Sequence, residues 1–484
     1  MPGVPSGRGC DHCRKSKKKC DELKPACTRC ARRGLECIGA GEKRYKFMED
    51  GPTAVVRRRS PKSHASAVAS KKTALHIVGT SPSNSITLLS QALVAAIHPK
   101  TDLRYNIMWA YGGYLAFVPS RLGINEALDT AIDALVVSHA SFSSRKVITP
   151  TCLAKYSRAL NALRRSLDNP LTASSSETLC AVSILLLVQH IQGYLDLKRS
   201  GHAEGAAKIL KARGSCAPRD AFEHILLLAL RGPVLFEGLF NPHIQFTPEE
   251  WRELVENGFD SETPEGRMLA YLSRVPGIIE RTRKNSGGVL GLLDLQVEMQ
   301  GIYSKTREIC DKFAAEYNAV ENDGGKGASN PFGISPKMLH AHCQRMYGIA
   351  ITVVLYMNYV LVAMRTIDET LAADANFFAF EMLNIAESAV IYRPFAAAYV
   401  QLGLVAALMT VHNEALQTLL RASIIDYQQD FSNQHLDTAT MEEAFRSLNP
   451  FGNNESIESF TILDESFENE EQAMYMPLNP QLVV

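Results

Sequence analysis

The sequence is poor in the features that usually announce an enzyme, an exported protein or a β fold. It has no Gly-rich phosphate loop, no GxSxG and no HExxH, so the common nucleotide, serine-hydrolase and zinc-peptidase sites are excluded. His190, His202 and His224 stand alone on expected helices, with no nucleophile or acid at a catalytic spacing, and no catalytic residue is expected. Met1 to Gly9 is polar, without the apolar run of an export signal, so a reducing compartment is expected. There clustered cysteines serve metals rather than disulfides. Alternating β-branched runs and hairpin dipeptides are scarce, which argues against a sheet. No apolar heptad runs from Ile38 to Ser85, which argues against a coiled-coil dimer through that segment.

The missing net charge hides a gradient. The 484 residues carry 51 Lys/Arg and 51 Asp/Glu. Residues 1–72 hold 19 basic against 7 acidic residues, a net of +12. Residues 430–484 hold 1 against 11, a net of −10. A basic head and an acidic tail on a neutral body suit a nucleic-acid binder with an interaction tail.

Six of the 11 cysteines crowd the head: Cys10, Cys13, Cys20, Cys27, Cys30 and Cys37. The first three recur in the last three, 17 residues later. The other five, Cys152, Cys180, Cys216, Cys310 and Cys343, are scattered and read as core or surface residues. A cage of soft thiolates selects zinc. Six sulfurs fill the eight slots of two tetrahedral zincs when two of them bridge. Two Zn²⁺ with six thiolates sum to −2; the 9 Lys/Arg and 4 Asp/Glu of residues 10–37 bring the module to about +3. Arg14, Lys15, Ser16, Lys17, Lys18 and Lys19 lie between Cys13 and Cys20, and five of these six are cationic. The first repeat is therefore expected to face nucleic acid, with the second as its scaffold. So short a segment buries no useful core, and metal must supply its folding free energy. Pro25 fixes the turn between the halves. His12, between two ligands, is not counted as a further one.

The string Cys10-Asp-His-Cys13-Arg-Lys-Ser-Lys-Lys-Lys-Cys20, Lys24-Pro25, Cys27-Thr-Arg-Cys30 and Cys37 resembles the fungal binuclear zinc cluster family of transcription factors. The resemblance implies two short helices related by a pseudo-twofold around two zinc ions, with Cys10 and Cys27 bridging. It implies a helix end in the major groove at a CGG-like triplet of double-stranded DNA. Lys17, with Ser16 and Lys18, would contact bases by side chain and backbone carbonyl; Arg14 and Lys19 would hold phosphates, in the same basic run as Lys15. Family members often carry Lys or Arg where this chain has Ser16.

The expected organisation is a zinc cluster at 1–40, a flexible basic linker at 41–85, an all-helical body at 86–430 and an acidic, disordered tail at 431–484. In the linker, Arg57-Arg58-Arg59 and Lys71-Lys72 read as a nuclear import signal. In the body, Asn125 caps a helix expected over Glu126–Val137. Thr149-Pro150 starts another, through Arg165. Ser174 with Glu177 reads as a capping box before Thr178–Leu195, Thr247 with Glu250 as a second, and Ser335-Pro336 opens a helix to about Arg365. Tyr347–Met364 is nearly all apolar, but Asn358 interrupts it, and a buried core helix is expected rather than a membrane span. Arg393-Pro394 should break the helical stretch Asn376–Tyr427. The segments 118–123, 201–206 and 392–395 are similar to stretches of the helical regulatory domain that follows many such clusters. The tail interleaves seven acids between Asn454 and Glu471 with Ile457, Phe460, Ile462, Leu463 and Phe467, a pattern that suits folding onto a coactivator.

Together these features give the expectation of a mostly α, non-enzymatic, nuclear regulator of RNA polymerase II transcription that binds DNA in two copies or at two half-sites. The rival expectation is a zinc-dependent protein-interaction adaptor without sequence-specific DNA binding.

Overall fold

The computed structural model describes residues 5–6, 9–38, 44–45, 84–98, 102–145, 148–192, 201–214, 217–241, 243–256, 262–284, 288–322, 334–431 and 438–451. It divides into two units, Met1–Val78 and Gly79–Val484. Cys216, the basic runs at 57–59 and 71–72, and the apolar-acidic stretch 454–471 lie outside the described residues.

The first unit contains helices α1 (Asp11–Lys15) and α2 (Thr28–Arg32). Pro5–Ser6 pairs antiparallel with Arg44–Tyr45, the one extended pairing among the described residues. Among its described residues the second unit holds helices and the turns that join them, with no strand. Its N-terminal part comprises α3 (Ser85–Ile97), α4 (Ile107–Tyr111), α5 (Glu126–Arg145), α6 (Pro150–Asp168), α7 (Ser176–Ile191), α8 (Gly201–Arg213) and α9 (Ala221–Phe240). Then follow α10 (Pro248–Glu256), α11 (Pro264–Leu272), α12 (Val275–Lys284) and the long α13 (Gly288–Asn322). The rest is α14 (Pro336–Ala363), α15 (Thr370–Ser388), α16 (Tyr399–Thr410), α17 (Glu414–Gln428) and α18 (Thr438–Arg446).

Local chemistry sets these boundaries. Asn125 Oδ1 accepts from the Ala127 N–H (2.8 Å) at the start of α5, which runs to Arg145, well past Val137. Thr149 and Ser335 cap α6 and α14, each with proline at the first helical position. Thr247 and Glu250 exchange side-chain-to-amide bonds at 2.8 and 3.2 Å, a complete capping box. The box expected at Ser174 does not form. Ser175 is the last non-helical residue, so its hydroxyl accepts from the Thr178 N–H (3.1 Å), while Glu177 pairs with Arg121.

Helix α14 is the buried axis of this unit. Alone among the described helices it is long and apolar enough to cross a membrane, yet 72% of its apolar window is buried among its neighbours. Two residues explain the packing. A Cβ on Gly348 would lie 2.5 Å from the Tyr399 ring, so glycine lets α16 approach. Asn358 donates to the Leu371 carbonyl (2.9 Å) and to the Tyr303 hydroxyl, which itself donates to Asp374 (2.8 Å). The polar break in the apolar run is thus satisfied inside the core.

The resemblance segments are joints of this unit. Arg121 pairs with Glu177 and Asp220 and lies over the Phe222 ring. His202 meets the Tyr156 hydroxyl at 2.6 Å. Arg393 pairs with Asp426 and Asp430 and covers the Tyr427 ring at 4.2 Å. As the sequence predicts, the chain leaves helical geometry around Arg393-Pro394, and it does so again at Val411–Asn413.

The expected start of a disordered tail at 431 is corrected by α18. Ala444, Phe445 and Leu448 are buried, and Phe445 stacks on Tyr356 at 4.8 Å between centroids. These apolar residues outweigh the acids around them, and the chain stays packed through this turn.

Candidate metal centre and nucleic-acid interface

Each cysteine triplet builds the same local structure. Cys10 and Cys27 are the N-caps of α1 and α2, and their sulfurs accept from the Cys13 N–H (3.5 Å) and the Cys30 N–H (3.4 Å). The Cys10 N–H donates to Cys20 Sγ (3.4 Å) and the Cys27 N–H to Cys37 Sγ (3.3 Å). The halves also lock together reciprocally. The Asp11 N–H donates to the Ile38 carbonyl (3.0 Å), and at the matching place the Thr28 N–H donates to the Asp21 carboxylate (3.1 Å). The Thr28 hydroxyl and N–H hold the Asp21 carboxyl below its usual range.

The sulfurs fall into two groups of four, with all ligand atoms of each within 4.8 Å of one another. One is Cys10, Cys13, Cys20 and Cys27; the other is Cys10, Cys27, Cys30 and Cys37. Cys10 and Cys27 belong to both. A zinc–sulfur bond of about 2.3 Å gives tetrahedral sulfur–sulfur edges of about 3.8 Å. Cys10–Cys27 and Cys13–Cys27 are 3.8 Å apart and Cys10–Cys30 is 3.6 Å. Donor set and spacing therefore fit two zinc ions. The Cys13 amide holds the Cys10 thiol down to about 6, and the Cys30 amide lowers Cys27. Burial and the neighbouring sulfurs push Cys13 up to about 12 and raise Cys30 as well. The two shared thiols thus ionise more readily than these two partners.

Residues 8–46 match the family described as the fungal Zn(2)-Cys(6) binuclear cluster domain. The N-terminal module is a fungal binuclear zinc cluster. Such a cluster binds two zinc ions and belongs to zinc-dependent, DNA-binding transcription regulators, a family that is not enzymatic. A protein of Emericella nidulans, described only as uncharacterized, is 24% identical over 197 residues, which cover 38% of this chain and 39% of that protein. No solved structure matches the chain.

The basic run leaves the cluster through a helix C-cap. The Lys17 N–H donates to the Arg14 carbonyl (3.0 Å) and the Lys18 N–H to the Cys13 carbonyl (2.9 Å). This is a Schellman motif with Lys17 at the left-handed position (φ 53°). The second repeat ends identically, but there the position is Gly34 (φ 62°). A left-handed lysine where the sister repeat has glycine is a strained choice that nothing in local folding requires, and such outliers gather at functional sites. Arg14 through Lys19 are all exposed. The Ser16 hydroxyl turns back to the His12 carbonyl (2.8 Å). Among the described residues the carbonyls of Ser16, Lys17 and Lys18 accept no hydrogen bond. The resemblance pointed to Lys17; only the backbone revealed its strain.

Cys152, Cys180, Cys310 and Cys343 are buried in the helical unit. His190 and His202 are pushed down to about 4 by burial.

Proposed function

We propose that this protein is a sequence-specific DNA-binding regulator of RNA polymerase II transcription, acting in the nucleus, whose zinc cluster reads CGG-like triplets. All six cysteines hold the two ions, with Cys10 and Cys27 bridging. The observation that carries the reading is the exposed Arg14–Lys19 run on a left-handed C-cap fixed by the cage. Lys17 offers its ammonium to guanine O6 and N7, while the open carbonyls of Ser16 to Lys18 suit the amino group of cytosine. Arg14, Lys15 and Lys19 hold phosphates and so fix register. One small module specifies few base pairs, so a homodimer or a second half-site completes the target. The helical unit regulates, and the acidic tail engages a coactivator.

The test is selection from a randomised duplex library by the full-length protein across a salt series. Enrichment of CGG-type triplets, lost on chelation of zinc, supports the proposal. Zinc uptake without sequence enrichment would turn the module into a protein-interaction adaptor.

A further inference from the structure

The helical unit contains a cavity of about 800 Å³ between α4, α7, α9, α14 and α16. That is ample for a small organic molecule. Its lining is mainly apolar and aromatic, yet it holds one cation, Arg345, and one carboxylate, Glu237 of α9. Arg345 of α14 donates to the Trp109 carbonyl (2.7 Å) and lies over the Trp109 ring (5.3 Å). Its other N–H groups have no acceptor among the described residues, and none of those residues supplies a carboxylate within ion-pair distance. Burial lowers the Arg345 pKa, because an apolar surround disfavours the charged form.

Other groups repeat the pattern. Trp109 Nε1, the Tyr111 hydroxyl and His190 Nε2, on residues that line the cavity, are themselves closed off from solvent and have no hydrogen-bond partners among the described residues. Buried polar groups are normally satisfied, so such a cluster calls for an explanation. Arginine and tryptophan only donate, and tyrosine can donate. A guest on the Arg345 fork would bring acceptor oxygens and negative charge, placed at Arg345 rather than beside Glu237, the carboxylate of the same lining. The guanidinium fork favours a flat, two-oxygen anion. The aromatic walls favour a flat apolar body.

We propose that this cavity binds a small organic carboxylate with an aromatic or similarly flat apolar body, its carboxylate on Arg345. This site is independent of the zinc cluster and of the DNA-binding proposal.

The test is titration calorimetry of the full-length, zinc-loaded protein, without DNA, against 1-naphthoate and its neutral analogue 1-naphthamide. One saturable site per chain is expected, with the acid about tenfold or more tighter than the amide. Arg345→Gln should abolish that preference by weakening the acid and leaving the amide within about twofold. An acid that does not bind, or binds no better than the amide, would overturn the proposal, and this comparison requires no variant. Arg345→Gln retaining the full preference would overturn it equally. Circular dichroism of the variant separates lost recognition from lost fold.

Discussion

Lys17 and Gly34 occupy the same left-handed position in two copies of one structure, so substitutions there separate folding from recognition. An L-residue in this conformation costs about 1–2 kcal/mol. Glycine removes that strain but adds about 0.4–1 kcal/mol of unfolded-chain entropy. Lys17→Gly should therefore leave the zinc-bound module as stable as the parent, or up to about 1 kcal/mol more stable. Lys17→Ala keeps the strain and should match the parent. Gly34→Ala should lose up to roughly 1 kcal/mol, and the loss is purely conformational, because a Cβ there would meet nothing within 4 Å. DNA affinity should follow a different order. Both Lys17 variants lose a base contact worth about 1–3 kcal/mol, roughly 5- to 150-fold, whereas Gly34→Ala binds normally once zinc is saturating. The assays are zinc retention against a graded chelator and DNA binding to a selected site at fixed salt. Full DNA affinity in Lys17→Ala would refute the reading role. Lower zinc retention in Lys17→Gly than in Lys17→Ala would refute the strain argument. A loss equal on all sequences, with the salt slope reduced by about one, would demote Lys17 to a phosphate contact.

Chelation should release two zinc ions per chain and abolish DNA binding, while the thermal unfolding of the helical unit stays put; calorimetry with metal analysis checks both. Gly348→Ala should destabilise the helical unit by about 1–3 kcal/mol in urea unfolding, because the Tyr399 ring must move. His190 and His202 fall from 6.5 to about 4 in the folded chain, so they disfavour the proton there. Their contribution is complete above pH 6.5 and declines as pH falls toward 4; a double His→Phe variant should flatten the stability–pH curve in that window, read by thermal melts. Deleting residues 454–484 should lower reporter transcription without altering DNA affinity, and an undiminished signal would reject the activating tail.

The cluster was legible because chelation fixes spacing: six cysteines at a 17-residue offset leave few arrangements open. Thr149, Thr247 and Ser335 were readable as caps because their hydrogen bonds are local. Ser174 was misread for Ser175, since either serine satisfies the pattern and only the backbone turn chooses between them. The end of α5 and the burial of Phe445 were not legible, because each depends on residues far away in sequence. Nor was the cavity: Trp109, Tyr111, His190 and Arg345 come from three separate helices, and they line one space only once those helices pack.

The overlap of the two sulfur groups at Cys10 and Cys27 has a consequence for how the domain comes into being. Neither triplet can complete a tetrahedron from its own sulfurs, so a chain emerging from the ribosome cannot close either centre until Cys27 has joined the first three cysteines, nor both until Cys37 is free. Competence to grip DNA then arrives as a threshold rather than by halves. The same overlap makes Cys10 and Cys27 single points of failure: oxidising or alkylating either one opens both centres together, whereas damage at Cys20 or Cys37 opens one.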